Sequence, residues 1–191
     1  LQKVVEPPRQ ELFRRLNMVP GATSTLVLLR KQVLEGLSKH PEWEPIADDL
    51  GHLFTSWFNR GFLVLKRIDW NSPAAVLEKL IQYEAVHAIQ GFTDLRRRLE
   101  ADRRCYAFFH PAMPNEPIIF VEIALSRGMA AQVQPLLAQD APVLDADRAD
   151  TAVFYSITNC HEGLRGIPFG ESQSASASLP FSSLPARTSP P

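Results

Sequence analysis

Thr151-Ala152-Val153-Phe154-Tyr155-Ser156-Ile157-Thr158-Asn159-Cys160-His161-Glu162-Gly163-Leu164-Arg165-Gly166-Ile167-Pro168-Phe169-Gly170 is the stretch on which the fold turns. Its first seven residues, Thr151 to Ile157, are rich in β-branched and aromatic side chains and read as a strand. Gly163, Gly166 and Gly170 follow, at the point where a helix is expected to begin. A strand, a glycine-bearing turn and a helix start together expose unpaired backbone N–H groups, which suit phosphate or pyrophosphate. After Gly170 the pattern is lost.

Upstream, Cys105 to Phe109 and Ile118 to Leu125 read as two further strands, antiparallel because their link is short. His110-Pro111-Ala112-Met113-Pro114-Asn115-Glu116-Pro117 between them is proline-rich and reads as a turn. Ala130 to Ala138 is a short helix or an irregular segment, and Thr93 to Glu100 a short helix. Nearer the N-terminus the period changes from 2 to 3.6. Leu12, Phe13 and Leu16 share one helical face after Pro7-Pro8. Leu26, Leu29, Val33, Leu34 and Leu37 share another, with Thr23 or Ser24 as cap. Pro45 to Asn59 is a third helix, and Ser72-Pro73 an N-cap and first turn. The type of Phe62-Leu63-Val64-Leu65 is left open by periodicity.

The expected class is α+β: an N-terminal helical bundle over residues 1–85, then the incomplete first part of an α/β layer over 86–170. The boundary falls near Tyr83 to Ile89. Residues 171–191 are dominated by Ser, Pro and Ala and are expected to be disordered.

With 191 residues and 45% hydrophobic composition the chain can bury a core. Its net charge of −1 offers no basic field for nucleic acid or an anionic membrane. Arg14-Arg15 and Arg96-Arg97-Arg98 are read as solvated helix faces. Cys105 and Cys160 lack metal-ligand spacing and suggest a reducing compartment. No apolar run reaches the length of a membrane span. Leu1-Gln2-Lys3-Val4-Val5-Glu6 contains neither an initiator Met nor a signal-peptide pattern, so further chain is expected at this end too.

Several segments, in order, resemble the malonyl-CoA decarboxylase family. They are Ser56-Trp57-Phe58-Asn59-Arg60-Gly61-Phe62-Leu63, Tyr83-Glu84-Ala85-Val86-His87, Arg103 to Pro111, Pro114 to Leu125, Phe154 to Ile157, and Gly163-Leu164-Arg165-Gly166-Ile167 with Gly170. The resemblance implies a helical domain that forms homo-oligomers and a catalytic domain similar to the GNAT acetyltransferase fold. It implies conversion of malonyl-CoA to acetyl-CoA and carbon dioxide in fatty-acid or malonate metabolism, with no metal or organic cofactor. It assigns coenzyme A contact to Glu162, Gly163, Leu164, Arg165, Gly166, Ile167 and Pro168; Pro168 can donate no N–H. The family's Ser and distant catalytic His have no match here; Phe181-Ser182-Ser183-Leu184-Pro185 echoes the Ser loop but does not carry its role. The tail is accordingly expected to be a frameshifted or mispredicted end of a longer gene. The implied compartment is the bacterial cytoplasm, or mitochondria or peroxisomes in a eukaryote. An acyl-CoA-binding or oligomerisation module without decarboxylase activity is the alternative.

Among single side chains, Arg165 is the functional candidate, a cation beside a phosphate-binding turn, with a solvated loop arginine as the alternative. His110 reads as structural, and His161 is open between ligand contact and structure. His52 and His87 read as packing or surface residues, Cys160 as a plain thiol, and Glu116 and Glu122 as separate turn and strand residues. Trp57, Phe58 and Phe62 are expected in the core.

Overall fold

The computed structural model describes residues 7–169. Gly170 and the Ser/Pro-rich stretch 171–191, expected to be disordered, lie outside the described residues. The elements are α1 (Pro8–Leu16), α2 (Ala22–Gly36), α3 (Glu44–Trp57), β1 (Val64–Ile68), α4 (Ala74–Tyr83), α5 (Phe92–Arg98), β2 (Arg103–His110), β3 (Met113–Ser126), α6 (Gln134–Leu137) and β4 (Thr151–Asn159). The strands form one sheet in the order β1-β2-β3-β4. Only Pro111-Ala112 separates β2 from β3, which forces them antiparallel. Asp150 N–H donates to the Ser126 carbonyl and Cys160 N–H to that of Ile118, so β3 and β4 also run antiparallel. The architecture is mixed, helices with an antiparallel sheet.

Two sequence expectations fail in this region. The proline-rich stretch to Pro117 is not a turn, because β3 already starts at Met113. Burial along β3 changes phase at Pro117-Ile118, from Met113 and Pro117 to Ile118, Phe120, Glu122 and Ala124. A proline removes a ladder hydrogen bond and is tolerated at such irregularities and at edges. The start of β3 also extends past the end of β4, where an N–H lost at Pro114 costs no pairing. Secondly, α4 begins at Ala74 with Pro73 outside it; Ser72 Oγ accepts from Asp69 N–H at 3.0 Å and does not cap the helix.

The chain divides into two compact units. Among the described residues the first comprises 7–66, Phe108–Ile119 and 159–169. Here α1 opens on Pro7 and Pro8, where a missing N–H is harmless. Gly21 reaches φ +78° and is the N-cap of α2. The expected caps Thr23 and Ser24 lie inside that helix, and Ser24 Oγ donates back to the Gly21 carbonyl at 2.8 Å. Leu26 and Val27 of α2 meet Leu50, Leu53 and Phe54 of α3, together with Phe13, Phe58, Met113 and Ile118. Each such side chain contributes about 2 kcal/mol by leaving water. Leu12 and Leu16 do not follow Phe13 inward and are exposed, as is Phe62. The undecided Phe62–Leu65 run splits into the end of a 3-10 turn, Arg60–Phe62, and the start of β1. β1 is an edge strand carrying Lys66, whose Nζ lies 5.1 Å from the centre of the Phe109 ring.

The second unit comprises Arg67–Ala107 and Phe120–Thr158. It corrects the reading of Arg96-Arg97-Arg98 as a solvated face: Arg97 and Arg98 are buried. Arg97 Nη1 donates to Asp102 Oδ1 at 2.7 Å, and Arg98 Nη1 to Glu122 Oε2 at 3.1 Å. Arg103 is buried beside Asp102. Glu84 Oε1 accepts from the N–H groups of Val86 and His87, and its Oε2 from Ser156 and Thr158. The cations Arg97, Arg98 and Arg103 thus share this interior with the carboxyl groups of Glu84, Asp94, Asp102 and Glu122. One carboxyl proton balances the set, and Glu122 is the group placed to carry it. It is fully buried, its Oε1 has no hydrogen-bond partner, and burial pushes its pKa up to about 8 against the pull of Arg98.

A carboxyl whose pKa is raised on folding binds its proton more tightly in the folded state. Its contribution is complete below the unfolded pKa and is lost as pH rises towards the folded one. Thermal unfolding between pH 5 and 8 is expected to show the Glu122 contribution declining with rising pH, and Glu122→Gln is expected to remove that decline. A slope unchanged in the variant contradicts a protonated Glu122.

Candidate functional site

Residues 159–169 leave the end of β4 as an ordered loop. Cys160 N–H ties its start to Ile118, and His161 N–H donates to Asn159 Oδ1 at 3.0 Å. The expected helix start is a three-residue 3-10 turn, Glu162–Leu164. Leu164 N–H donates to the His161 carbonyl, Arg165 N–H to that of Glu162, and Ile167 N–H to that of Leu164. The loop spends these three donors on itself.

The seven residues assigned from the sequence divide into two faces. Gly163, Leu164 and Ile167 are buried, the latter two in the apolar core of the first unit. Glu162, Arg165, Gly166 and Pro168 are exposed. Arg165 Nη1 lies 3.7 Å from Glu162 Oε2, with both side chains open to solvent, so the pair is worth little. Gly166 sits at φ +78°, and its N–H makes no hydrogen bond among the described residues. The two glycines therefore serve different needs. A Cβ on Gly163 would overlap the backbone carbonyl of Val27, so α2 requires a glycine there. Space around Gly166 is open, and its positive φ is what favours glycine.

Arg30, on α2, is the residue that sequence reasoning missed. Its guanidinium is buried, and it holds the loop from beneath. Nη1 donates to the Gly163 carbonyl at 2.7 Å and to the Arg165 carbonyl at 3.0 Å, while Nε donates to Ala47 at 3.1 Å. Its hydrogen-bond partners are all carbonyls. Burial lowers its pKa, and the nearby Arg165 charge adds to the effect against the weaker pull of Asp48. A Cβ on Gly51 of α3 would come within 3.3 Å of Arg30 Nη2, so a helix-interior glycine leaves room for the guanidinium. The signal was available: Arg30 interrupts the apolar stripe of Leu26, Val27 and Val33, and Gly51 interrupts α3.

The other candidates sit apart from this geometry. His110 accepts from Ala112 N–H on Nδ1 at 3.1 Å and lies against the Phe58 ring, 4.9 Å between centroids. Burial holds its pKa below the ordinary histidine range, against a hydrogen bond to the Trp57 backbone. These contacts fit the structural reading. Cys160 is a buried cysteine outside any disulfide, His161 is half-buried, and His52 is exposed. Among the described residues, no group of three His, Cys, Asp or Glu side chains could hold a metal ion, and no helix is long and apolar enough to cross a membrane.

Comparison with known proteins adds two profile matches. The malonyl-CoA decarboxylase N-terminal domain matches residues 1–58, and the malonyl-CoA decarboxylase C-terminal domain residues 61–173. The chain is 36% identical over 170 residues to the mitochondrial malonyl-CoA decarboxylase of Anser anser anser, covering 86% of this chain and 34% of that protein. It is 32% identical over 176 residues to the mitochondrial enzyme of Mus musculus, covering 89% and 36%. A crystal structure of malonyl-CoA decarboxylase from Rhodopseudomonas palustris is similar with TM-score 0.84 and 55% identity, covering 88% of this chain and 41% of that one. The Agrobacterium vitis structure gives 0.81 and 53%, covering 86% and 40%. The chain spans about a third of the length of the vertebrate relatives it matches.

The two glycines separate in a stability measurement. Gly163→Ala forces the loop off α2 and is expected to cost about 1–3 kcal/mol, as overpacking does. Gly166→Ala meets only the backbone penalty of about 1–2 kcal/mol and leaves the Leu164 and Ile167 anchors in place. Thermal melts are expected to show the larger loss for Gly163→Ala, with loss of protease protection across 159–169. Equal losses with protection intact contradict the anchoring role of Gly163.

Proposed function

This chain belongs to the malonyl-CoA decarboxylase family, and on that premise we propose that it carries the coenzyme A-contacting part of an enzyme converting malonyl-CoA and a proton to acetyl-CoA and carbon dioxide. The contact residues are Glu162 to Pro168. The observation that carries this reading is the division of the loop, with Leu164 and Ile167 fixed inside and Arg165 and Gly166 held outward. Among the described residues Gly166 N–H has no hydrogen-bond partner, and it neighbours the guanidinium-bearing Arg165 in the chain, a combination that suits a pyrophosphate oxygen. Pro168 contributes shape and no donor.

The proposed chemistry makes modest demands. Cleavage of the bond between the carboxylate and the α-carbon releases carbon dioxide and leaves its electron pair in the thioester enolate. Donors stabilise the enolate oxygen, and a proton then returns to carbon, completing the acetyl group. The thioester is the electron sink, so the proposal includes neither a metal nor an organic cofactor. The family's Ser and His find no match among these positions, so the loop binds substrate and does not itself turn it over. The proposed setting is fatty-acid or malonate metabolism in a bacterial cytoplasm, or in mitochondria or peroxisomes of a eukaryote. We further propose a GNAT-like layer completing the sheet and a helical bundle, bounded near residue 85, that self-associates. Exposed Leu12, Leu16, Met18, Val19 and Leu28 support that association.

Calorimetry with coenzyme A and malonyl-CoA, run beside a carbon dioxide assay on this chain, tests the reading. Binding of both without carbon dioxide release is expected. Release would put the catalytic groups within these residues, and failure to bind either ligand would remove the loop as a coenzyme A site.

A further inference from the structure

We propose that Arg30 is a positioning residue for ligand binding: it fixes the direction of the Gly166 N–H by holding the carbonyl of the same peptide group. This rests on the reading of Glu162 to Pro168 as the coenzyme A loop. The argument is geometric. A trans peptide is planar, and its C=O and N–H point in opposite directions. Arg30 Nη1 donates to the Arg165 carbonyl at 3.0 Å from the buried side of the loop. The Gly166 N–H, the other end of that peptide, therefore points away from Arg30. Arg165 and Gly166 are themselves exposed, so that direction is the open side of the loop.

A glycine-containing turn offers little resistance to rotation of its peptide plane, because glycine populates both signs of φ. Two features of Arg30 supply the resistance. The same Nη1 also donates to Gly163 at 2.7 Å, spanning the turn, and Nε is secured to Ala47 on α3. Its charge meets only carbonyl dipoles within hydrogen-bond range, so it is not cancelled by a contacting carboxylate and adds to the positive field beneath an anion. The inference concerns an anionic phosphate or pyrophosphate group, the part of coenzyme A that a single N–H and two guanidinium charges recognise.

Coenzyme A affinity of the wild-type chain is to be compared with Arg30→Met, Arg30→Lys, Arg165→Ala and Gly166→Ala, with circular dichroism as the folding control and the Gly166 amide followed by 15N NMR. Arg30→Met is expected to weaken coenzyme A binding about tenfold or more, the effect of losing an aimed donor to a charged group, and to broaden or double the Gly166 amide signal. Arg30→Lys, which keeps the charge and can still reach a carbonyl, is expected to recover part of the affinity and a single signal. It also stands in should Arg30→Met not fold. A folded Arg30 variant with wild-type affinity and an unchanged Gly166 signal overturns the proposal while the loop reading stands. If wild type binds but Arg165→Ala and Gly166→Ala bind equally well, the loop reading itself falls, and with it the role of Arg30.

Discussion

Buried arginine side chains satisfying backbone carbonyls are the constraint on which this structure depends. A carbonyl outside a helix or ladder has no regular partner, and leaving one buried without a donor costs about 1–3 kcal/mol. Arginine brings five donors in a rigid fork on a long stem, so one side chain can serve several such carbonyls. In the first unit Arg30 serves Ala47, Gly163 and Arg165. In the second, Arg98 Nη2 donates to the His87 carbonyl at 2.8 Å, Arg97 Nε to Ala138 at 3.4 Å, and Arg103 to Leu136. In each case the arginine comes from a regular element; Arg30 ties the loop carbonyls of Gly163 and Arg165 to Ala47 within α3, and Arg98 holds His87 between α4 and α5.

The two units manage the accompanying charge differently. In the second, buried carboxylates neutralise the cations, and the surplus acid keeps its proton. Such an arrangement is sensitive to removal of either partner. In the first, Arg30 has only carbonyls within hydrogen-bond range, with the charges of Arg165 and Asp48 farther off. That is expensive for folding and useful for holding an anion nearby. Close approach on both sides of Arg30 depends on glycine: Gly51 leaves space for the guanidinium, and Gly163 lets the loop meet α2.

Much of this was legible in the sequence, for identifiable reasons. α2 and α3 have apolar periods that burial broadly follows, whereas β4 is legible from its β-branched and aromatic content alone, since Ser156 and Thr158 are buried and Ile157 is exposed. The loop after β4 was visible through its glycines. Capping was less legible: Gly21 starts α2 by backbone geometry, so the nearby hydroxyls of Thr23 and Ser24 misled. β1 was left open because a short edge strand with mostly exposed side chains has no period to read. The Arg96-Arg97-Arg98 cluster was misjudged because composition marks charge as solvent-facing, while Asp94, Asp102 and Glu122, distant or unremarkable in sequence, converge on it only in the fold. Arg30 shows in the sequence only as a charge interrupting the apolar stripe of α2, because its partners are backbone carbonyls, which any residue carries.

The claim at the centre of this account is that the Arg165–Gly166 peptide, pinned from behind by Arg30, meets the phosphates of coenzyme A. Titrating coenzyme A into the 15N-labelled wild-type chain and following backbone amides across 159–169 tests it directly. The Gly166 and Arg165 amides are predicted to shift the most and to saturate with the binding isotherm, while the buried Leu164 and Ile167 amides move little. Saturable binding that leaves Gly166 unshifted would contradict it and place the ligand elsewhere on the chain.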